Sequence, residues 1–353
     1  MFGLNAKKNQ CFGIDVGDSS IKIVQLDDRG KSVTLKGFAD VPLPKGVVIN
    51  DAVVDNKVFG YVLGKALENP QYGQITTRYV VASLPESKSF VRVIQIPKMS
   101  DPEAENAVPF EAEAYIPLPV DQVYLDWQKV GETEDKMNIL MIASPKEFVD
   151  KYLSTLEGAG LKVAALEAES QSSRRAVVEE GSTETLLIVD IASNHTSLIM
   201  VEDGRLQFTS SVPLAGNAFT ESIATALGVS SAKAEEIKKK VGIANTPAYP
   251  NIKTQLLPVL SSLSGEIKSI LKFHNEHSEK EVKRILLVGG GSRLANLPEF
   301  LEPQLAEFGG IKVGLGNPWC NLNLAQQPPL DAKESLGYTT AVGLGIRGMR
   351  GVN

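Results

Sequence analysis

Two aspartates close short apolar runs, and each is followed by a small, polar turn. The first stretch reads Phe12-Gly13-Ile14-Asp15-Val16-Gly17-Asp18-Ser19-Ser20-Ile21-Lys22-Ile23. The second reads Leu186-Leu187-Ile188-Val189-Asp190-Ile191-Ala192-Ser193-Asn194-His195-Thr196-Ser197. Apolar residues on both sides of each turn predict two strand–turn–strand hairpins. Small turn residues let backbone N–H groups approach an anion closely, and hydroxyls donate to it. A carboxylate ending a buried strand is costly unless something pairs with it. Opposed across a cleft, the two turns would clamp the phosphates of a nucleotide. Asp15 and Asp190 would then hold Mg2+ through water, since that ion keeps much of its hydration shell. A third stretch, Ile285-Leu286-Leu287-Val288, runs straight into Gly289-Gly290-Gly291-Ser292-Arg293-Leu294. Glycines there would let the backbone lie against an adenine and ribose, with a helix N-terminus expected directly behind them.

The elements that position these residues recur. After the first hairpin come a strand at Val33 to Asp40, a helix over Val53 to Leu67 and a buried strand at Arg78 to Leu84. After the second come a strand at Arg205 to Val212 and a helix at Gly216 to Leu227. Strand–Asp–polar turn–strand–strand–helix therefore occurs twice, as a duplicated supersecondary unit. The intervening segment has a different texture. It predicts a strand at Phe90 to Ile96, a helix starting near Ser100 to Glu103 and kinked at Pro109, two strands at Leu125 to Val130 and Met137 to Ala143, and a helix at Pro145 to Gly158. The predicted organisation assigns residues 10–84 to the core of lobe one, 85–166 to an inserted α+β module of that lobe and 167–182 to a connecting helix. It assigns 183–228 and 284–334 to the core of lobe two, 229–283 to its helical subdomain and 335–353 to a C-terminal helix returning to lobe one. The fold class is α/β.

Bulk properties narrow the class. A chain of 353 residues has room for two or three packed units. A net charge of −6 argues against a general nucleic-acid binder. Two cysteines, Cys11 and Cys320, suit a reducing compartment and exclude a disulfide framework. No apolar run reaches the roughly 20 residues of a membrane helix. Residues 1–10 carry no signal-peptide pattern, and the last residues do not read as an amphipathic anchor. Gly343-x-Gly345-x-x-Gly348 matches a dinucleotide fingerprint but lacks the strand–helix unit it needs, which leaves close helix packing. His274 and His277 have no ligand set beside them for zinc.

Paired phosphate hairpins with a strand–Gly-Gly-Gly-Ser element resemble the actin-like ATPase superfamily, which includes sugar kinases, seventy-kilodalton heat-shock chaperones and FtsA. Within it, five motifs resemble the PilM family of type IV pilus assembly proteins: Ile96-Pro97-Lys98-Met99-Ser100, Glu111-Ala112-Glu113-Ala114-Tyr115-Ile116-Pro117, Leu125-Asp126-Trp127-Gln128, Ala143-Ser144-Pro145-Lys146-Glu147 and Ala159-Gly160-Leu161. The closing Tyr338 to Arg347 joins them, and the resemblance spans Phe12 to Gly348. It implies an actin-like ATPase fold with two duplicated lobes around a nucleotide cleft, binding ATP or ADP with Mg2+.

By the same resemblance, Ser19, Ser20 and Lys22 belong to the first phosphate hairpin with Asp18, and Ser193, Asn194 and Thr196 to the second. Gly216 and Asn217 would lie beside phosphate or ribose. Glu235 and Lys238 would meet the ribose and the adenine edge, although as sequence they read equally as an exposed ion pair. Gly290, Gly291, Ser292 and Arg293 would flank the base, and Glu169 is nominated to polarise an attacking water. Two positions depart from the pattern. Asp18 stands where relatives usually carry Ser or Thr, and Ala192 where the superfamily usually has Gly. A like charge at about 4 Å costs roughly 1 kcal/mol in water-like surroundings and about 4 kcal/mol at an effective dielectric of 20. Asp18 is therefore expected to turn away or to weaken nucleotide binding.

The resemblance also implies a cytoplasmic scaffold, with at most slow ATPase activity, attached to the inner membrane by docking the N-terminal tail of a PilN-like membrane protein. Other pilus platform components and self-association are further implied contacts; nucleic acid and direct membrane insertion are not. An FtsA-like membrane-associated filament protein and a small-molecule kinase of the sugar or acetate class are the alternative readings.

Overall fold

The computed structural model describes residues 11–352; the amino-terminal stretch read above for a signal peptide lies outside them. The first hairpin forms as expected. Strand β1 (Phe12–Val16) pairs antiparallel with β2 (Ser20–Asp28), setting Asp15 opposite Lys22. Strand β3 (Val33–Pro42) extends the meander. Next comes a two-residue-turn hairpin, β4 (Val48–Ile49) with β5 (Ala52–Val53), which periodicity alone does not reveal. Helix α1 (Asn56–Glu68) starts where the Asp55 carboxylate accepts from Val58 N. After the short β6 (Tyr72–Gly73), β7 (Tyr79–Leu84) returns parallel to β1.

The middle segment runs through β8 (Phe90–Pro97), α2 (Asp101–Ala112), β9 (Val123–Glu132), β10 (Lys136–Pro145), α3 (Lys146–Gly158), β11 (Lys162–Ala168) and α4 (Glu169–Val177). Pro109 sits inside α2, as expected. Strand β11 lies parallel to β7, giving a first sheet ordered β11-β7-β1-β2-β3-β6. Residue 166, the predicted end of the module, thus falls inside a strand of the first lobe. Val163 and Ala165 are buried against that sheet, and α3 adds Val149, Tyr152 and Leu156 to the same core. The other three strands of the module go elsewhere: β8, β10 and β9 continue the second sheet.

That sheet begins with β12 (Leu186–Ile191), β13 (Thr196–Glu202) and β14 (Arg205–Val212), the second copy of the meander. Helices α5 (Gly216–Leu227), α6 (Ser231–Lys240) and α7 (Ile252–His277) follow. Leu256, Leu260, Leu263, Ile267 and Leu271 bury one face of α7, each contributing about 1.5–3 kcal/mol over an exposed position. Strand β15 (Arg284–Val288) pairs parallel with β12, and after α8 (Leu297–Gln304), β16 (Lys312–Leu315) pairs with β15. The order is β16-β15-β12-β13-β14-β8-β10-β9, with β14 and β8 joined at the single pair Phe208 and Arg92.

A short α9 (Ala332–Ser335) leads into α10 (Thr339–Arg350), which crosses α4 between the sheets. Glycine makes the crossing possible. A Cβ on Gly343 would sit 1.9 Å from the backbone oxygen of Ser172, and one on Gly348 2.8 Å from that of Cys11. The Gly-x-Gly-x-x-Gly pattern is therefore a packing device, as its missing strand implied. Gly343→Ala is expected to destabilise the fold by about 3 kcal/mol, read as a lowered urea midpoint at unchanged m-value.

Candidate functional site

Between the two sheets lies a cleft of about 360 Å³, and both aspartate hairpins open into it. Asp15 and Asp190 end β1 and β12 half-buried on its floor. The Asp15 carboxylate accepts from Ser83 Oγ at 3.1 Å, and Asp190 accepts from Ser173 Oγ at 3.1 Å. One hydroxyl each is little support for a buried anion. Burial accordingly pushes the Asp190 carboxyl up to about 6, with the charge of Asp15 adding to the effect. Burial raises Asp15 too, against the pull of Lys22.

Gly289, Gly290 and Gly291 line the same cleft, and two of them are also required by the packing beside it. Gly289 has φ of +81°, and a Cβ there would stand 2.3 Å from Asp190 Oδ1. A Cβ on Gly291 would stand 2.3 Å from Cγ2 of Ile191. The glycines thus let this loop close over the end of β12 and frame the carboxylate. Residues 290–293 make one 3₁₀ turn, and α8 starts at Leu297, within a residue of the helix expected from Pro298, so its N-terminal dipole is not at the cleft.

The hairpins touch each other. Ser19 Oγ lies 2.5 Å from Ser193 Oγ. The Asp18 carboxylate accepts from the backbone N–H of Asp51 at 3.1 Å and from the Asn194 amide, whose oxygen in turn accepts from Asn217 Nδ2 at 2.7 Å. Asp18 is therefore committed to a bridge between the lobes. Ala192 accepts from Gly216 N at 2.9 Å, a close approach that Gly216 permits. Lys22 donates to Ser20 Oγ at 2.9 Å. Two nominated residues stay out of the lining. The Thr196 hydroxyl donates to the Leu214 carbonyl and the Ser292 hydroxyl to the Val288 carbonyl, so both secure backbone.

Glu235 and Lys238 are not a solvent-exposed pair. Lys238 Nζ is buried 2.6 Å from Glu235 Oε2 and donates to Thr220 Oγ1 at 2.9 Å and to the Gly216 carbonyl at 3.3 Å. Burial lowers the Lys238 ammonium's pKa, against the opposing pull of Glu235. Arg293 donates to the carbonyls of Lys333 and Glu334, tying the glycine loop to the segment before α10.

Sequence reasoning missed His195 and Asp51. Glu169 begins α4 and faces the cleft with its carboxylate 3.6 Å from His195 Nε2; His195 Nδ1 is 4.0 Å from Asp51 Oδ1. Burial opposes a charge on His195, yet its hydrogen bond to Glu169 and the charges of Glu169, Asp51 and Asp190 prevail and raise it to about 9. Burial raises Glu169 to about 7 despite the imidazolium. Glu169 Oε2 also accepts from Glu86 N at 3.2 Å. A signal for Asp51 existed: Val48-Ile49-Asn50-Asp51-Ala52-Val53 is an apolar–Asn-Asp–apolar hairpin, and both turn residues take positive φ, of 50° and 65°.

The residues fit a magnesium nucleotide in kind. Two under-supported carboxylates meet small turns and glycine backbone. Among the described residues no cluster of three or more protein ligands is set for a metal, and Mg2+ usually takes one or two carboxylates, with water and phosphate completing the shell.

The sequence profile of the family described as type IV pilus assembly protein PilM matches residues 13–349. The chain belongs to the PilM family. Its likeness extends to the solved PilM-PilN type IV pilus biogenesis complex, with 27% identity, TM-score 0.81 and coverage of 97% of this chain and 99% of that one. Curated relatives include the cell division protein FtsA of Bacillus subtilis, 22% identical over 65% of this chain and 57% of that protein. FtsA of Streptococcus pneumoniae is 22% identical over 87% of this chain and 75% of its own length. MreB 5 of Spiroplasma citri bound to AMPPNP shares the fold at TM-score 0.56 and 12% identity, covering 97% of this chain and 96% of that one. The fold of the family member described here is thus actin-like, with mixed α/β sheets. No helix among the described residues is long and apolar enough to cross a membrane.

Proposed function

We propose that this member of the PilM family is a nucleotide-binding scaffold of the pilus assembly platform. ATP or ADP occupies the cleft with Mg2+ near Asp15 and Asp190, and the N-terminal segment of a PilN-like membrane protein docks in a second cavity. The observation that carries this reading is the likeness, over nearly the whole chain, to the PilM half of a PilM-PilN complex. Support for the docking place comes from a mostly apolar groove of about 390 Å³. One wall is the face of β9 and β10 that carries Gln128, Leu140 and Ile142; the other is Leu84, Val149 and Leu166 of lobe one. Docking there would hold the chain at the inner membrane through its partner.

Glu169 is the proposed polarising base. At about 7 its carboxyl suits proton transfer at neutral pH, but the contact with His195 diverts it, which supports slow turnover at most. The docking half is tested by calorimetry with a synthetic peptide of the PilN N-terminal segment from the same organism. Binding is expected, and Ile142→Arg, which puts an unpaired charge in the groove, should weaken it about tenfold or more. No heat from the unmodified chain, with or without Mg-ATP, would sink the docking reading.

A further inference from the structure

One side chain in the second groove has a hydrogen-bonding atom with nothing to bond to. Arg347, on α10, is 6% exposed and lines the cavity. Its Nη1 lies 3.1 Å from Glu167 Oε2, but its Nη2 is buried without a hydrogen-bond partner among the described residues. Guanidinium cannot shed its charge, and a buried N–H left unbonded is costly, so nearly all such groups are satisfied in folded proteins. Glu167 does not supply the missing acceptor: its Oε2 takes Arg175 Nη1 at 3.0 Å beside Arg347 Nη1, its Oε1 takes Arg175 Nη2, and neither oxygen bonds Arg347 Nη2.

We infer that the groove's occupant completes Arg347: an extended peptide whose apolar side chains flank one neutral carbonyl oxygen that accepts from Nη2. This rests on the docking reading above and adds to it the residue that fixes the peptide's register. The choice of a neutral acceptor follows from charge. Glu167 Oε2, 3.1 Å from Nη1, already gives Arg347 a counter-charge, so Nη2 lacks an acceptor and not a negative charge. An anion entering here would face Glu167, whereas an amide oxygen, of the backbone or of Asn or Gln, meets the donor without that repulsion. The apolar walls give affinity without register, and a single buried donor among them supplies it.

The test uses the full chain and the PilN N-terminal peptide, with Arg347→Lys and Arg347→Met beside the unmodified chain. Arg347→Lys keeps a cation for Glu167 but has no second nitrogen at the Nη2 position; melting curves establish that each variant is folded. Both variants should lose about tenfold in affinity. Affinity of the unmodified chain should change little up to about 0.5 M salt. Unmodified affinity in Arg347→Lys would overturn the inference and leave docking intact, and that variant decides the matter should Arg347→Met fail to fold. A steep loss of affinity with salt would replace the neutral acceptor by an anion. Absence of peptide binding to the unmodified chain would remove docking and this inference together.

Discussion

Asp190→Asn is expected to lower affinity for a magnesium nucleotide at least about a hundredfold while raising the melting temperature of the nucleotide-free protein at pH 7 and above. The two effects share one cause. Asp190 titrates near 6 in the fold, against an ordinary 3.8, because burial penalises its charged form. An acid raised in this way costs the fold nothing below 3.8, where both states are protonated. It costs progressively more as pH climbs towards 6, and the full amount above that. The amount is on the order of 3 kcal/mol, withheld until a cation arrives. Asparagine removes the cost and, with it, the ligand. His195 bends stability the same way in a higher window: raised from 6.5 to about 9, it stabilises fully below 6.5, and that contribution is lost as pH rises through 9. Melting temperature without nucleotide should therefore fall from pH 5 to pH 9. Asp190→Asn should flatten the lower limb and His195→Gln the upper one, by scanning fluorimetry. Binding of a fluorescent nucleotide analogue reads the other half; affinity unchanged in Asp190→Asn would exclude this carboxylate from the metal.

Asp18→Ser should work in the opposite direction and tighten nucleotide binding about tenfold. Asp18 spends its carboxylate on the Asp51 N–H and the Asn194 amide, so it holds the two hairpins together across the place where phosphates would pass. Entry of phosphate must either break that bridge or tolerate the charge. At an effective dielectric of 20 a contact at about 4 Å costs roughly 4 kcal/mol; a tenfold gain supposes that the side chain turns aside and recovers most of that. Serine restores a donor and removes the repulsion. Equal affinity in both proteins would mean that Asp18 stands clear of the phosphates.

The duplicated hairpins were legible because apolar strands flank each polar turn and each aspartate sits at the same place in its copy. Their partners were less so. His195 looks like one more polar turn residue until β4 and β5 bring Asp51 to it, and no local period encodes a contact between positions so far apart. Gly289 and Gly291 carry a constraint that local sequence does not show, since the close neighbour that forbids a side chain is Asp190 or Ile191 of the adjacent strand. Lys238 read equally as half of an exposed ion pair with Glu235, whereas α6 turns it inward onto Thr220. The end of the module is hard to read for a related reason. Strand β11 resembles a continuation of the segment before it, and its pairing with β7 depends on chain more than eighty residues earlier.

The seam between β14 and β8 has a mechanical meaning. A single residue pair, Phe208 with Arg92, splices the module's strands to the sheet of lobe two, while the chain enters and leaves the module through β7 and β11 of lobe one. The two walls of the proposed docking groove are consequently carried by different sheets. Under the docking proposed above, load pulled through a seated segment would act between the same two sheets that border the proposed nucleotide cleft. By reciprocity, a nucleotide that favours one angle between them would change the force at which that segment lets go.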